Sequence, residues 1–358
     1  MAYLRLLALS AAVSFALVWA WVAAAPMAFM EPEYPSWRAK QVMLEQCDLG
    51  DAIVLGDSRA AADILPALLP MRATNLAVGG GMPIEAYAAL ARALACPSSP
   101  RLVIISFDPG HFTSPDLFWD RSVRFGFISG SDVAALRDAS RRIGDLSVYE
   151  ARHADGLPSI LRDTLYRMRF PSYYAASLIH GGGILRWPGN RARLRDALAA
   201  RGQYYFGTAA GSDVVAVEGS MPAFRPLPIL DLYFDRLLAL LAAHAIPAWF
   251  IAMPVNEATW RQVRPAMLDQ FTAYLAGYER RYPLFHVVGT VMPHWPDRFF
   301  GDQFCHLNPG GARRFSASLA QRLQDAPPST QNEAQNGWLS ETGRDASARV
   351  RPISKRGS

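Results

Sequence analysis

The chain has 358 residues, of which 51% are hydrophobic and 19% charged, and its formal net charge is +5 at pH 7. A chain of this length and apolar content can bury a sizeable core in one large or two small domains. No cluster of lysine and arginine is interleaved with aromatic residues, so we expect no nucleic-acid partner. No group of cysteine and histidine has the spacing of metal ligands, so we expect no metal and no cofactor.

The chain begins with an apolar run, residues 6–25, behind a single Arg5. As a helix this run would be about 30 Å long, which matches the hydrocarbon core of a bilayer. A cleaved signal peptide is the alternative, because Ala23, Ala24 and Ala25 resemble a small-residue cleavage site. The run exceeds the apolar part of usual signal peptides, so we favour an anchor within residues 1–30. We therefore expect a single-pass inner-membrane protein with a periplasmic or other extracytoplasmic domain, or, if the segment is cleaved, a protein secreted to the periplasm.

Strands and helices alternate in the next part of the chain. Residues 52–55 form a short unbroken apolar run closed by Gly56, which is typical of a strand buried on both faces of a parallel sheet. Further strands are predicted at 72–78 and 102–107, with a helix at 83–95 between them. This alternation indicates right-handed βαβ units and a parallel sheet.

The alternation stops in an insertion at about 111–228 and then resumes. The insertion is rich in aromatic residues, namely Trp119, Tyr173, Tyr174, Trp187, Tyr204, Tyr205 and Phe206. We expect most of them to pack a core, with a sugar-stacking platform or a lid as the alternative. Helices are predicted at 229–245, 259–281 and 310–323, and strands at 248–253 and 285–291. Residues 326–358 are polar and proline-rich, which predicts a disordered tail.

Two stretches carry side chains suited to acyl chemistry. Ser58 follows the first strand within Gly56-Asp57-Ser58, at the sheet edge where open α/β sheets bind ligands. A serine hydroxyl must lose its proton to a base as it attacks. His306 is the best candidate among seven histidines because it lies in a loop at that edge, and Asp302 could orient it. The alternatives are ordinary turn chemistry for Ser58 and a structural role for His306.

Together these stretches resemble the SGNH (GDSL-type) hydrolase superfamily, in particular extracytoplasmic members linked to polysaccharide or teichoic-acid acylation. The first block of that family is a strand followed by Gly-Asp-Ser, and its last block is an Asp and a His before the final helix. Asn75-Leu76-Ala77-Val78-Gly79-Gly80 looks like its second block. Its third block is poorly matched, because Asp108 stands where the family has an Asn. The resemblance covers residues 46–325 apart from the insertion.

The resemblance implies a flavodoxin-like parallel sheet of about five strands flanked by helices, with Ser58, His306 and Asp302 as catalytic residues. The N–H groups of Ser58 and Gly80 are the expected oxyanion donors, since glycine lets the main chain approach closely. Arg59, Asn75 and Asp108 complete the predicted oxyanion and substrate-binding set. An ionised Asp108 would repel an oxyanion, so it would have to point away, be protonated or bind substrate.

The spacing of the last block differs from that of the family, which has Asp-x-x-His where this chain has Asp302-x-x-x-His306. Positions i+3 and i+4 share one face of a helical turn, so Asp302 is retained, with Asp297 as the alternative. A Cys305–His306 catalytic pair is disfavoured, because adjacent side chains rarely point at each other.

Cys47 and Cys96 both lie just upstream of predicted strands that are neighbours in the strand order of the family. We therefore expect them to form a disulfide in an oxidising compartment, with Cys305 free. The alternative is that each is a small buried hydrophobic residue.

The expected function is that of an extracytoplasmic serine esterase or O-acyltransferase that removes or transfers small acyl groups, such as O-acetyl, on a polysaccharide. Expected partners are a polysaccharide or acyl-sugar substrate, a membrane acyltransferase and the membrane itself. The alternative is a non-catalytic carbohydrate-binding or scaffold component of an exopolysaccharide export or acylation complex. The imperfect third and last blocks favour that alternative.

Overall fold

The computed structural model describes residues 1–115, 117–150 and 186–325. In these ranges the strands are β1 (Ala52–Gly56), β2 (Ala73–Asn75), β3 (Leu102–Ser106), β4 (Ala248–Phe250), β5 (Val255–Asn256), β6 (Phe285–Val287) and β7 (His294–Trp295). A five-stranded sheet has the order β2-β1-β3-β4-β6, and all its strands are parallel. This is the order of flavodoxin-like sheets, so the prediction of such an α/β sheet is confirmed. The short strands β5 and β7 pair separately.

The described helices lie around this sheet, except for the exposed N-terminal helix α1. They are α1 (Ala2–Ala24), α2 (Pro26–Phe29), α3 (Tyr34–Glu45), α4 (Ser58–Asp63), α5 (Pro83–Leu94), α6 (Gly130–Ile143), α7 (Ser147–Glu150), α8 (Arg186–Ala199), α9 (Val217–Ser220), α10 (Pro228–Ala243), α11 (Glu257–Trp260), α12 (Pro265–Arg281) and α13 (Pro309–Asp325). Short 3₁₀ turns lie at Pro66–Leu68, Pro109–Phe112 and Asp297–Phe299, and a π-helical segment lies at Phe118–Val123.

The core lies around the two central strands. Every residue of β1 and β3 is buried, which explains their continuous apolar sequence. Among the helices, α5 packs against α10, and α13 packs against α4. This arrangement brings the start of α4 and the loop before α13 to the carboxyl edge of the sheet.

The insertion contributes Trp119 to this core, while Tyr205 and Phe206 are partly buried against it. Trp119 is 1% exposed and donates a hydrogen bond from Nε1 to the carbonyl oxygen of Val148. Trp187 is partly exposed, whereas Tyr173 and Tyr174 lie outside the described residues, as does the predicted tail 326–358.

Helix α1 is long and apolar enough to cross a membrane, although a signal sequence has the same properties. Its side chains are almost all exposed, apart from a small cluster in which Val22 packs with Ala28 and Phe29 of α2. The predicted disulfide between Cys47 and Cys96 is confirmed, and Cys305 is free and buried.

Candidate active site

The turn after β1 prepares Ser58 as the first residue of α4. Gly56 has φ of 152°, and a Cβ atom there would collide with the carbonyl oxygen of Ser106 on β3, so this turn needs glycine. Asp57 caps the helix, and its Oδ1 accepts from the N–H groups of Arg59 at 2.9 Å and Ala60 at 3.2 Å. Those bonds satisfy the second and third amides of the helix. The amide of Ser58 has no acceptor among the described residues.

Asp302 and His306 form a hydrogen-bonded pair. Asp302 Oδ2 lies 2.5 Å from His306 Nδ1, while Oδ1 accepts from the N–H groups of Phe304 at 2.9 Å and His306 at 3.3 Å. Burial alone would raise the pKa of Asp302, but the hydrogen bond and charge of His306 outweigh it and hold that pKa below its usual range. Phe206 of the insertion stacks on the imidazole with ring centroids 4.6 Å apart.

The other ring nitrogen of His306, Nε2, is buried and has no hydrogen-bond partner among the described residues. The side chain is only 4% exposed. Since Nδ1 is engaged by Asp302, the lone pair of Nε2 is the one available to accept a proton. A buried unpaired nitrogen is costly, which is common where a group waits for a ligand or a reacting proton.

His306 lines a cavity of about 560 Å³. The structure brings six of the seven predicted site residues to its wall, namely Ser58, Arg59, Gly80, Asp108, Asp302 and His306. The residues come from widely separated parts of the chain and meet because β1 and β3 end side by side.

Gly80 lies opposite Ser58 in the wall of this cavity. It has φ of 69°, in the left-handed region, and an added Cβ atom would come within 2.5 Å of the Leu117 side chain. Its N–H, like that of Ser58, has no acceptor among the described residues. Two residues of the cavity wall therefore have backbone N–H groups without an acceptor in the described part of the chain, and their role as oxyanion donors stays a prediction.

Asn75 does not line the cavity, which corrects its predicted role in substrate or oxyanion binding. It is fully buried, and its Nδ2 donates to the carbonyl oxygens of Ala60 at 2.8 Å and Ile64 at 3.0 Å. Its Oδ1 accepts from the N–H of Ala77 at 3.1 Å. The amide is thus fully used in joining the end of β2 to α4.

Arg59 lies in the cavity wall but is engaged by the protein. Its guanidinium forms a bidentate ion pair with Glu218 of α9, and both side chains are buried. Burial alone would lower the pKa of Arg59, but the charges of Glu218 and Asp108 outweigh it, so that pKa is raised and Arg59 stays charged. Its direct contact with substrate stays a prediction.

Asp108 follows β3, and its carboxylate lies against His111 and Arg59. One carboxylate oxygen lies 3.4 Å from His111 Nε2 and 3.8 Å from Arg59 Nη2. The other accepts from the N–H of His111 at 3.3 Å. Asp108 therefore supplies no third oxyanion donor.

Asp57, Asp108 and His111 have ligand atoms within 4.8 Å of one another, so this group could hold a cation. The two carboxylate oxygens of Asp57 already accept three backbone N–H groups, those of Arg59, Ala60 and Asp108. This engagement reduces their capacity as ligands, and the absence of a metal stays a prediction.

Asp297 and Cys305, the two alternatives considered near the last block, make other contacts in the structure. Asp297 accepts from the N–H groups of Glu257 and Ala258 at the start of α11 and does not line the cavity. Cys305 is buried against Thr259, with its Sγ 3.6 Å from Oγ1, and burial raises the pKa of its thiol. The five-residue spacing from Asp302 to His306 is accommodated because Cys305 adopts φ of 60°.

Sequence reasoning missed several residues of the site. The insertion supplies Ser114, Leu117, Arg121, Phe206 and Val217 to the cavity wall, and it supplies Glu218 to the buried ion pair. No motif marks these positions, since each is a single residue in a segment without regular alternation. His111 carried a signal, because it lies three residues after Asp108 at the end of a central strand.

A comparison of the chain with protein-family models finds no match, and neither does a comparison with curated proteins. The function is therefore argued from the geometry of the site.

Proposed function

We propose that this protein is an extracytoplasmic serine acyl-ester enzyme of the SGNH type, which transfers or hydrolyses small acyl groups on a polysaccharide. The observation that carries the proposal is the free Nε2 of His306. His306 lines the same cavity as Ser58, and Asp302 engages its Nδ1, which leaves Nε2 without a partner among the described residues. This is the distribution of roles that a serine, a general base and an orienting carboxylate require.

The reaction would begin with attack of Ser58 Oγ on the acyl carbonyl carbon. His306 Nε2 takes the hydroxyl proton as the bond forms, and Asp302 stabilises the resulting imidazolium. The free N–H groups of Ser58 and Gly80 would hold the oxyanion. Collapse of the tetrahedral intermediate expels the alcohol, which receives the proton from His306. Water or a sugar hydroxyl then attacks the acyl-Ser58 ester by the same steps in reverse.

The oxyanion site has two backbone donors and no side-chain amide, because Asp108 replaces the Asn of the family. Loss of one such donor costs about 10²–10³ in rate in enzymes where it has been removed. We therefore expect slow turnover of simple esters, with serine reactivity retained.

The cavity favours a substrate larger than a lone acetyl group. Its volume of about 560 Å³ lies within the range typical of ligand sites. Three of its lining side chains are exposed and apolar, namely Leu117, Val217 and Phe304. Among the residues that the structure describes, Phe304 is an exposed ring that lines this cavity, and it could pack against a sugar face. The assignment to polysaccharide, and to a membrane acyltransferase as partner, comes from the family resemblance.

The proposal is tested with a fluorophosphonate probe on the full chain in detergent. We expect wild type to be labelled, Ser58→Ala to be unlabelled and His306→Ala to be labelled at least about 10²-fold more slowly, as expected for loss of a general base. Ser114→Ala is the matched control, because Ser114 lines the same cavity and should leave labelling unchanged.

Absence of any label on folded wild-type protein, together with no turnover of acetyl esters, would contradict the proposal. Binding of oligosaccharide by that same protein would then support the non-catalytic carbohydrate-binding function.

A further inference from the structure

Helix α4 carries the proposed nucleophile at its first residue and is six residues long. Two of its other side chains, Arg59 and Asp63, are four positions apart and therefore share one face. Both are buried, with 4% and 0% of their surface exposed. Each is bonded to the main chain of the loop that carries His306.

The two bonds lie on either side of His306. Arg59 Nε donates to the carbonyl oxygen of Phe304 at 3.1 Å, two residues before the histidine. Asp63 Oδ1 accepts from the N–H of Leu307 at 2.9 Å, one residue after it. We infer that Arg59 and Asp63 are positioning residues, which fix the general base relative to Ser58 on the same helix. This inference rests on the proposed function.

The loop that carries His306 lies outside the main sheet, so strand pairing in that sheet does not hold it in place. Its backbone is held by a bridge between Phe300 and Leu307, which includes the bond from the N–H of Gly301 to the carbonyl oxygen of His306, and by the bonds from its own N–H groups to Asp302 Oδ1. Misplacement of a catalytic group by about 1 Å can cost about 10²-fold in rate. A short rigid helix that holds both partners would keep that error small.

The charges of the two residues fit this role. Arg59 is neutralised by Glu218, so its Nε is available to the loop without an unpaired buried charge. Asp63 Oδ2 is buried with no hydrogen-bond partner, and burial raises the pKa of Asp63 well above its usual range. Asparagine keeps a side-chain oxygen at this position and can therefore replace Asp63 as the acceptor for the N–H of Leu307.

The first test compares Asp63→Leu, which removes the acceptor, with Asp63→Asn, which keeps it. We measure the rate of fluorophosphonate labelling, and kcat and KM for a soluble aryl acetate. We expect Asp63→Leu to be about 10–100-fold slower in labelling and kcat with KM within about twofold, because the base is misplaced and the cavity is intact. Asp63→Asn should stay within about threefold of wild type.

Ser316→Ala is the matched control for stability. Ser316 Oγ donates to the main-chain oxygen of Asp63 at 3.0 Å and accepts from the N–H of Leu65 at 2.9 Å, so it fastens the same end of α4 without touching the His306 loop. This variant should lower the melting temperature but leave labelling and kcat within about twofold of wild type.

If Asp63→Leu fails to fold, a second variant tests the same positioning role. Removal of Arg59 alone would leave the buried charge of Glu218 unpaired, so both residues are replaced together, as Arg59→Met with Glu218→Gln. We expect slower labelling and lower kcat with little change in KM.

If folded Asp63→Leu protein keeps wild-type labelling and kcat, the inference is overturned and the proposed function still stands. If only the double variant folds, the same result with that variant has the same meaning. Unlabelled wild type would instead overturn both.

Discussion

Asp57 governs the chemistry of the serine beside it. Its carboxylate accepts from the amides of Arg59, Ala60 and Asp108, so the amide of Ser58 is left free at the cavity. A helix cap is ordinary turn chemistry, and in the proposed mechanism the same bonds would leave the Ser58 amide to the oxyanion. The turn interpretation and the catalytic interpretation of Gly56-Asp57-Ser58 are therefore compatible.

Glu85 is a buried acid whose titration should affect stability. Its two carboxylate oxygens contact Met82 N at 2.8 Å and Ser122 Oγ at 2.5 Å, and burial raises its pKa to about 7. The folded state therefore binds this proton more tightly than the unfolded chain does. The stabilisation is fully present below the usual glutamate pKa and is lost as pH rises through about 7.

We predict that wild type loses about 3 kcal/mol more unfolding free energy than Glu85→Gln between pH 5 and pH 8, because one pKa unit corresponds to about 1.4 kcal/mol. Glutamine mimics the protonated acid and can serve both neighbours. Urea unfolding at several pH values measures the difference, with Glu45→Gln as an exposed control. Parallel stability curves for wild type and Glu85→Gln would refute the prediction.

At the residue scale, the sequence indicated the proposed catalytic side chains better than the buried polar residues that hold them in place. Ser58, Asp302 and His306 could be chosen because a base and a nucleophile must sit at the same sheet edge. The bonding of Asn75 and Arg59 could not be predicted, since buried polar groups take whatever partner the fold supplies. For Arg59 that partner is Glu218, which is 159 positions away in the chain.

At the element scale, the order of strands and helices was predictable, while their boundaries were not. The predicted helix 259–281 is two helices, α11 and α12, because Pro265 begins the second one and cannot continue the first. The predicted strand 72–78 ends at Asn75, whose Oδ1 accepts from the N–H of Ala77, although the N–H groups of Leu76 and Val78 still donate to carbonyl oxygens of β1. Periodicity carries no information about such local side-chain bonds.

The disulfide joins the residues that follow two helices packed beside β1 and β3. Cys47 comes after α3 and Cys96 after α5, and the two cysteines are 49 positions apart in the chain. We predict that Cys47→Ala combined with Cys96→Ala lowers the unfolding free energy by about 4 kcal/mol, because a loop of this size is no longer closed in the unfolded chain.

Denaturant unfolding with and without a reductant measures this contribution. Reductant should destabilise wild type and leave the double variant unchanged. Equal insensitivity of both proteins would show that the bridge contributes nothing.

At the scale of the whole molecule, the segment after α1 is bonded to the wall of the cavity. Glu31 pairs with Arg124, and Glu33 pairs with Arg121 at 2.9 Å. Glu33 also lies directly against Gly79, the neighbour of Gly80 in the cavity wall. The apolar helix and the candidate site are therefore linked through a few ion pairs, which composition and spacing could not have predicted.

Both transfer and hydrolysis require an acyl-Ser58 ester, so trapping this ester is the most direct test of the proposed function. Full-length protein is mixed with an activated acetyl ester, quenched in acid and digested, and its peptides are analysed by mass spectrometry. We predict that one acetyl group is added to the peptide that contains Ser58, in wild type and in Ser114→Ala, and that none is added in Ser58→Ala. An unmodified Ser58 peptide during continuing acetate release, or acetylation that persists in Ser58→Ala, would contradict the proposed nucleophile.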